Sequence, residues 1–405
     1  MLDDFGQRIR DIILSEMDLS RELSDEEICD LIGSVVSRET RDRPMTIKDR
    51  AELERTIFNS LRKLDVLQEL VDDRDVTEIM VNGPNDIFYE KAGRIQRFKG
   101  HFSSEDKLED VIQQIVGRHN RVVNQASPIV DTRLSDGSRV NIVLNPISIG
   151  GSAVSIRKFP EHPMSMERLV EIEALSPEVA RLLQILTQAK YNIFISGGTG
   201  SGKTTFLNAL SQYIPDDERI ITIEDSAELQ LLGAKNIVRL ETRNANTDGV
   251  TPITIRDLIR TALRMRPDRI IVGECRGAEA LDMLQAMNTG HDGSLSTGHA
   301  NSPHDIISRI ETMVLQGQDF PLNAIRQQIA SGIDIIVQLG RLRDKSRRVL
   351  EVSEVDGFID GEIVLHTLYR FEETGVLDSG RIQGFLKKAG TLCHTDKLMA
   401  AGLSV

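Results

Sequence analysis

The sequence predicts an α/β protein in which a domain with a parallel sheet follows a small α+β domain and an N-terminal helical bundle. Three observations support this class. Apolar runs alternate with helical segments from residue 176 onward, apolar and polar residues alternate in residues 73–160, and apolar residues recur at helical spacing in residues 1–72. The 405 residues suffice for several domains with buried cores.

Residues 1–72 are predicted to form a helical bundle that serves for docking. Two segments carry apolar residues at the spacing of one helix face: Phe5, Ile9, Ile12 and Ile13, and Leu53, Ile57, Leu61 and Leu64. Ser24 with Glu27 three residues later is typical of a helix start, and Pro44 interrupts the bundle. Nothing in this region indicates chemistry.

Residues 73–160 are predicted to form an α+β domain with an antiparallel sheet. The segments VTEIMVNG, DIFYEKAGRIQRF and SRVNIVLNP alternate like strands and are bounded by turns that contain glycine. One helix is expected from about Ser104 to His119. Pro160 and Pro163 then mark a linker at residues 161–175.

The domain at residues 176–405 is predicted to contain a parallel sheet with helices on both faces. Its expected strands are Tyr191–Ser196, Arg219–Ile223, Ile237–Leu240, Arg269–Val272, Gly293–Thr297 and Asp334–Leu339. The strand-like segments after Leu350 are expected to be peripheral.

A phosphate-binding loop is the most specific motif in the chain. Nine residues make up the predicted loop, and the first eight of them match the pattern GxxxxGK[ST] in its required context, because an apolar strand precedes them and a helix follows. They are Gly197, Gly198, Thr199, Gly200, Ser201, Gly202, Lys203, Thr204 and Thr205. The glycines allow backbone N–H groups to surround a phosphate. Lys203 is expected to bind the β- and γ-phosphates, and Thr204 to ligate Mg²⁺.

Two carboxylates at strand ends are candidates for the chemistry at this loop. Glu274 ends the run RIIVGE, where many P-loop ATPases have Asp-Glu and this chain has Gly-Glu. Glu274 is therefore expected to polarise water, to contact the metal through water, or both. Glu224 follows another strand and suits metal and water positioning. The alternative for each carboxylate is capping of the next helix.

Two histidines, His291 and His299, lie at the two ends of a short predicted strand among glycines. Their position after Glu274 favours a sensor role, in which His299 hydrogen-bonds the γ-phosphate or reaches across a subunit edge. The alternative is a structural role in the core. A zinc site is disfavoured because no third or fourth ligand is nearby at metal spacing.

Arginines form two candidate groups. Three lie outside the P-loop domain, where a rigid neighbouring domain would hold them against transferring phosphate charge: Arg133, Arg139 and Arg157. Three more are spaced by four on one predicted helix and would meet a subunit edge or carboxylates: Arg256, Arg260 and Arg264. The alternative for all of them is ordinary surface charge.

The composition excludes some classes of function. A net charge of −13 and an aromatic content of 4% disfavour a nucleic-acid binder. The three cysteines are far apart, which favours a reducing cytoplasm over a disulfide framework, and Cys275 is expected to be a packed core residue. No signal peptide or membrane span is expected, so membrane contact would occur only through partners.

Four motifs resemble those of the ATPase superfamily of type II secretion, type IV secretion and type IV pili. GGTGSGKTT is similar to its Walker A motif, IEDSAEL to its Asp box, RPDRIIVGECRG to its atypical Walker B motif and GHDGSLSTGHAN to its His box. The resemblance covers about residues 70–350. Within the superfamily, residues 76–95, 273–303 and 324–349 most resemble the CpaF/TadA branch, the motor of tight-adherence (Flp-type) pili.

The resemblance implies a RecA-like P-loop domain, a PAS-like domain before it, and a hexameric ring that hydrolyses ATP with Mg²⁺. It assigns Glu274 to catalysis and makes Glu224, the two histidines and the first arginine group further site residues. It also implies a cytoplasmic motor at the inner membrane, with platform proteins as partners and no direct nucleic-acid contact. The alternatives are a secretion ATPase that exports protein or DNA, a regulatory nucleotide-binding protein, and a nucleic-acid translocase.

Overall fold

The computed structural model describes residues 4–405 except residues 19, 22, 42, 44, 92, 119–121, 160–162, 232 and 244–250. Pro44, His119 and Pro160, on which predictions were placed, lie outside the described residues. The chain divides into two compact units, residues 1–161 and residues 162–405. The helices, the mixed sheets and the parallel core of the second unit confirm the predicted α/β class.

The first unit begins with three helices: α1 (Asp4–Glu16), α2 (Asp25–Glu39) and α3 (Ile47–Arg62). Their apolar faces form one core, which contains Ile9, Ile13, Ile28, Ile32, Val35, Val36 and Ile57. The predicted helix start at Ser24 is confirmed, because the Glu27 N–H donates to Ser24 Oγ and the Ser24 N–H donates to the Glu27 carboxylate.

A six-stranded antiparallel sheet completes the first unit. The helix α4 (Gln68–Asp72) leads into it, and α5 (Glu105–Gly117), capped by Ser104 as predicted, packs on it. The strands are β1 (Val76–Asn82), β2 (Ile87–Lys91), β3 (Arg94–Arg97), β4 (Ile129–Arg133), β5 (Arg139–Val143) and β6 (Ala153–Arg157). Their order in the sheet is β3-β2-β1-β6-β5-β4, so the hairpin β4–β5 lies at one edge.

The second unit is built on a parallel sheet whose six strands match the six predicted ones. They are β7 (Ile193–Gly197), β8 (Arg219–Glu224), β9 (Asn236–Glu241), β10 (Arg269–Val272), β11 (Leu295–Gly298) and β12 (Ile335–Arg341). They lie side by side in the order β12-β7-β11-β10-β8-β9. Because the chain crosses over between them, every carboxyl end of these strands lies at the same edge of the sheet.

Helices cover both faces of this sheet. Along β7, Ile193 and Ile195 belong to one hydrophobic core and Phe194 to the other, as expected for a strand buried on both sides. The helices are α6 (Met166–Glu171), α7 (Pro177–Gln188), α8 (Lys203–Ser211), α9 (Ile255–Ala262), α10 (Glu279–Asn288), α11 (Pro303–Gly317) and α12 (Leu322–Gly332). In the predicted linker, α6 buries Met166 and Leu169 in the core of the second unit.

The segments after Leu350 are not peripheral, which corrects the prediction. Three antiparallel strands extend the sheet from β12: β13 (Arg347–Ile359), β14 (Glu362–Val376) and β15 (Ile382–Lys388). Each contributes to the core through Val352, Leu368 and Leu386. They occupy the edge where the parallel order ends, a position that antiparallel strands commonly take in such sheets.

The C-terminal tail (residues 389–405) includes the helix α13 (Asp396–Ala401) and is held at the opposite edge of the sheet from the phosphate loop. The N–H groups of Cys393 and His394 donate to the buried carboxylate of Glu354 at 2.7 and 2.8 Å. Lys397 Nζ lies 2.6 Å from Asp334 Oδ2. In the part of the chain that the structure describes, no helix is both long and apolar enough to cross a bilayer.

Candidate active site

The phosphate-binding loop connects β7 to α8 at the carboxyl edge of the parallel sheet. Gly197 admits no side chain, because an added Cβ would lie 2.5 Å from Ser201 Oγ and 2.7 Å from Leu339 O. Gly200 and Gly202 have φ values of 71° and 94°, which L side chains rarely adopt. The loop conformation therefore requires its glycines.

The first turn of α8 is open to an anion. Gly202 is its N-cap residue and provides no side-chain hydrogen bond, so no cap satisfies the first N–H groups of the helix. Ser201 Oγ is buried without a hydrogen-bond partner. Helix N-termini of this kind bind phosphate through their N–H groups and partial positive charge. Thr204 is half-buried in the first turn, and Thr205 is exposed.

Lys203 spans the loop and is only 7% exposed. Its ammonium donates to Gly197 O at 3.1 Å and Gly198 O at 3.2 Å, and it lies 3.2 Å from His299 Nδ1. Burial lowers the pKa of Lys203. The two carbonyl oxygens accept hydrogen bonds from the Lys203 ammonium, as the oxygens of a bound phosphate would. Lys203 is therefore positioned to bind a phosphate ligand.

His299 joins Lys203 to Glu274. Because the ammonium can only donate to Nδ1, the ring proton resides on Nε2, which lies 2.7 Å from Glu274 Oε1. The ring and the carboxylate are not aligned as a hydrogen bond, and Oε1 is buried without another partner. Burial is the main cause that lowers the pKa of His299, and the nearby Lys203 charge adds to it. The His299 ring is therefore expected to be a neutral imidazole that contacts both Lys203 and Glu274.

Arg276 holds the other oxygen of Glu274. Its Nη2 donates to Glu274 Oε2 at 2.5 Å, and its Nη1 lies 3.6 Å from Asp225 Oδ2. The hydrogen bond to Glu274 raises the pKa of Arg276. Sequence reasoning missed this residue, although its place two positions after Glu274 was a readable signal. The contacts Lys203–His299–Glu274–Arg276 form one continuous series, called the catalytic series below for the role proposed for it.

Glu224 lies beside this series on the end of β8. Its Oε1 accepts the N–H groups of Glu228 and Leu229 at 2.8 and 3.0 Å, while its Oε2 is buried without a partner. Gly273 makes room for it, since an added Cβ there would lie 2.7 Å from Glu224 Cγ. Burial raises the pKa of Glu224 to about 7. Glu224 thus orders the following loop and keeps one oxygen for a ligand. The alternative of helix capping was wrong for Glu224, because the described residues between β8 and β9 form a loop.

The oxygen donors at this edge fit Mg²⁺. The hydroxyl of Thr204 and two unpartnered carboxylate oxygens, Glu224 Oε2 and Glu274 Oε1, follow the strands and the loop that meet here. Magnesium prefers oxygen ligands and binds with one or two carboxylates beside phosphates. The metal site at Thr204 and Glu274 stays a prediction, and Glu224 Oε2 is a further oxygen atom at the same edge of the sheet.

A family model described as "Type II/IV secretion system protein" matches residues 60–380. The chain belongs to the type II/IV secretion system protein family. This membership, together with the phosphate loop, identifies the chain as an ATPase of the type II/IV secretion class.

Relatives in this family carry secretion and transfer names. A putative conjugal transfer protein of Mycobacterium tuberculosis is 32% identical over 322 residues, which cover 77% of this chain and 91% of that protein. The type IV secretion system protein PtlH of Bordetella pertussis is 33% identical, over 73% of this chain and 94% of that protein. A crystal structure of the pilus retraction motor PilT with bound ADP shares the fold, with 23% identity and a TM-score of 0.55 over 82% of this chain and 84% of that one.

His291, which corresponds to the first histidine of the family's His box, is not brought to the phosphate loop. It precedes β11 at the amino end of the strand, and its Nδ1 lies 3.3 Å from Ala286 O. His299 lies just beyond the carboxyl end of the same strand. A catalytic role for His291 stays a prediction, with no contact to the catalytic series within this chain's described residues.

The three arginines of the first unit form a row across neighbouring strands. Arg133 lies opposite Arg139, and Arg139 lies opposite Arg157. Directly opposed residues have Cβ atoms about 4.5–5.5 Å apart. Their neighbours along the strands point into the core: Thr132, Val140 and Ile156. Glu78 continues the row, with its Oε1 3.7 Å from Arg157 Nε. The sheet thus gathers the predicted arginines on its outer face, while their catalytic role stays a prediction.

The second arginine group serves the core of the second unit. Arg256 and Arg260 each place Nε 2.8 Å from the buried carboxylate of Asp282, which settles the open alternative in favour of carboxylate pairing for these two. Arg264 lies beyond the end of α9 at Ala262, so the prediction of a three-residue stripe on one helix was wrong. Pro267 limits helical continuation there. Cys275 is buried as expected, 3.8 Å from Met313 Sδ.

Proposed function

We propose that this chain is the ATPase motor of a tight-adherence (Flp-type) pilus, of the CpaF/TadA branch of its family. The observation that carries the motor chemistry is the catalytic series, which links the phosphate-binding lysine to a strand-end glutamate through one imidazole. The branch assignment is supported by the resemblance of residues 76–95, 273–303 and 324–349.

In the proposed reaction, Lys203 exchanges the carbonyl oxygens of Gly197 and Gly198 for the phosphate oxygens of ATP. Glu274 accepts a proton from the attacking water or orients it, which is the usual task of a strand-end carboxylate beside the γ-phosphate. Arg276 holds the Glu274 carboxylate in the absence of nucleotide. When Lys203 leaves Nδ1 for the phosphate oxygens, the ring proton of His299 moves from Nε2 to Nδ1, which then donates to the γ-phosphate, and the changed tautomer reports the nucleotide state to Glu274.

Magnesium would be held by Thr204 and Glu274, with Glu224 beside them, and would neutralise charge on the phosphates. The arginine row (Arg133, Arg139, Arg157) is proposed to neutralise phosphate charge as well, in the same or a neighbouring copy. This proposal is supported by the register of β4, β5 and β6, which places the three cations on adjacent strands.

The proposed assembly is a ring of six copies at the cytoplasmic face of the inner membrane, with platform proteins of the pilus machine as partners and without direct nucleic-acid contact. Light scattering in the presence of Mg²⁺ and a non-hydrolysable ATP analogue is expected to give a mass near six times the 45.2 kDa of one chain. A monomer at micromolar concentration under these conditions would exclude the ring.

A secretion ATPase that exports protein or DNA is the second candidate, favoured by the relatives named for conjugal transfer and type IV secretion. The two candidates are distinguished in the host strain by replacing the gene for this chain with genes for the Glu274→Gln and Lys203→Ala variants. The pilus proposal expects both variants to lack surface filaments and adhesion while conjugation and protein export continue. Intact filaments with lost conjugation or export would favour the second candidate.

A further inference from the structure

Arg347 reaches the phosphate-binding loop from a distant part of the chain. It is the first residue of β13 and lies opposite Arg341, the last residue of β12. Its Nε donates to Gly200 O at 2.8 Å, and its Cδ lies 3.4 Å from the position that a Cβ would take on Gly202. The Arg347 side chain therefore lies over the two loop residues with positive φ.

The sheet order gives the direction from which Arg347 approaches. β11 and β12 flank β7 on opposite sides, and β13 lies beyond β12. His299 and Glu274 follow β11 and β10, so the γ-phosphate end of a bound nucleotide lies on that side of the loop. The α-phosphate end of the same triphosphate then lies toward β12 and β13. Arg347 contacts the loop from that side.

The charge of Arg347 is not neutralised by an acid as that of its neighbours is. Arg343 on the same hairpin donates to Glu373 Oε2 at 2.6 Å, and Arg348 is buried beside Glu173 and the ring of Phe371. Among the described residues, Arg347 makes one hydrogen bond, from Nε to Gly200 O, and its Nη1 and Nη2 have no protein partner. Two donors in a fixed fork beside a phosphate loop are suited to phosphate oxygens.

We propose that Arg347 is a nucleotide-binding residue that fixes Gly200 O through Nε and binds the α-phosphate of ATP or ADP through Nη1 and Nη2. This inference rests on the phosphate loop being the nucleotide site. Because the α-phosphate is present before and after hydrolysis, Arg347 strengthens the binding of both nucleotides. It acts on KM rather than on kcat.

The test compares the full chain with its Arg347→Ala, Arg347→Lys and Arg343→Ala variants. Kd is measured by titration with ADP and with a non-hydrolysable ATP analogue, and kcat and KM by steady-state hydrolysis. Arg347→Ala is expected to raise both Kd values by the same factor, roughly tenfold, with kcat within about twofold. Arg347→Lys keeps the charge without the fork and is expected to lie between. Arg343→Ala, the same change on the same hairpin, is expected to leave Kd unchanged.

Three results would overturn the assignment: unchanged Kd in Arg347→Ala, an equal loss in Arg343→Ala, or a loss confined to the triphosphate analogue. The Lys203→Ala variant distinguishes an error about Arg347 from an error about the phosphate loop as the nucleotide site. If Lys203→Ala binds nucleotide normally, the loop is not the nucleotide site; if it loses binding while Arg347→Ala does not, only the role of Arg347 is wrong. If Arg347→Ala does not fold, Arg347→Lys takes its place in the test. A Kd above that of the natural chain for both nucleotides then supports the assignment, and an unchanged Kd overturns it.

Discussion

Glu224 offers a test of the electrostatics at the site through the substitution Glu224→Gln. The carboxylate is 4% exposed, and burial raises its pKa from the ordinary 4.5 to about 7. A raised pKa means that the unfolded chain loses this proton at lower pH than the folded chain does. The stability that the neutral acid contributes is therefore complete below about pH 4.5 and is lost as the pH rises toward about 7.

The magnitude follows from the same two pKa values. Ionising Glu224 in the folded state lowers the free energy of unfolding by about 3 kcal/mol, relative to a side chain that does not titrate. Glutamine is such a side chain, and its amide oxygen is able to accept the N–H groups of Glu228 and Leu229 as Oε1 does. The Glu224→Gln variant is thus expected to match the natural chain at about pH 4 and to exceed it by about 3 kcal/mol at about pH 8.

Urea unfolding without nucleotide or Mg²⁺, followed by circular dichroism at several pH values, measures this difference. The control is Glu171→Gln, the same substitution at an exposed glutamate of the same unit. A difference between Glu224→Gln and the natural chain that stays constant from about pH 5 to about pH 8 would refute the reasoning. So would a variant that loses stability as the pH rises.

Three further substitutions test the packing of the second unit. Gly273→Ala places a Cβ 2.7 Å from Glu224 Cγ and is expected to cost about 1–3 kcal/mol in thermal unfolding; an unchanged midpoint would contradict it. Arg269→Ala leaves the buried carboxylate of Glu218 with only its longer ion pair to Lys190 and is expected to cost about 3–5 kcal/mol, more than replacing both residues by leucine. Glu354→Ala removes the acceptor of two tail N–H groups, so hydrogen exchange in the C-terminal tail should quicken while ADP affinity is unchanged; slow exchange would argue against the anchor.

The sequence predicted those parts of the fold that local patterns determine. Strands buried on both faces appear as short apolar runs, and each of the six expected in the second unit is present within two residues of its predicted bounds. The phosphate loop is contiguous, so one motif places nine site residues at once. Only part of the arginine row could be predicted from the sequence. A turn joins Arg133 to Arg139, but their alignment with Arg157 depends on how β5 pairs with β6.

Contacts between distant segments were outside the reach of local patterns. Lys203 and His299 are 96 residues apart, and Arg347 is 147 residues from Gly200. Their meeting depends on the sheet order, which places β11 and β12 on either side of β7. The contribution of the strands after Leu350 to the core was underestimated for a related reason. Strands at a sheet edge show the same alternation of apolar and polar residues whether or not a helix covers them.

The central claim is that the catalytic series hydrolyses ATP with Glu274 as the group that acts on water. Single-turnover hydrolysis by the Glu274→Gln variant, preloaded with ATP and Mg²⁺, tests it most directly, because glutamine keeps the shape of the side chain and removes its charge. The account predicts nucleotide affinity within about threefold of the natural chain and a hydrolysis rate lower by roughly 10²-fold or more. Hydrolysis at the natural rate by a variant that binds ATP normally would contradict it.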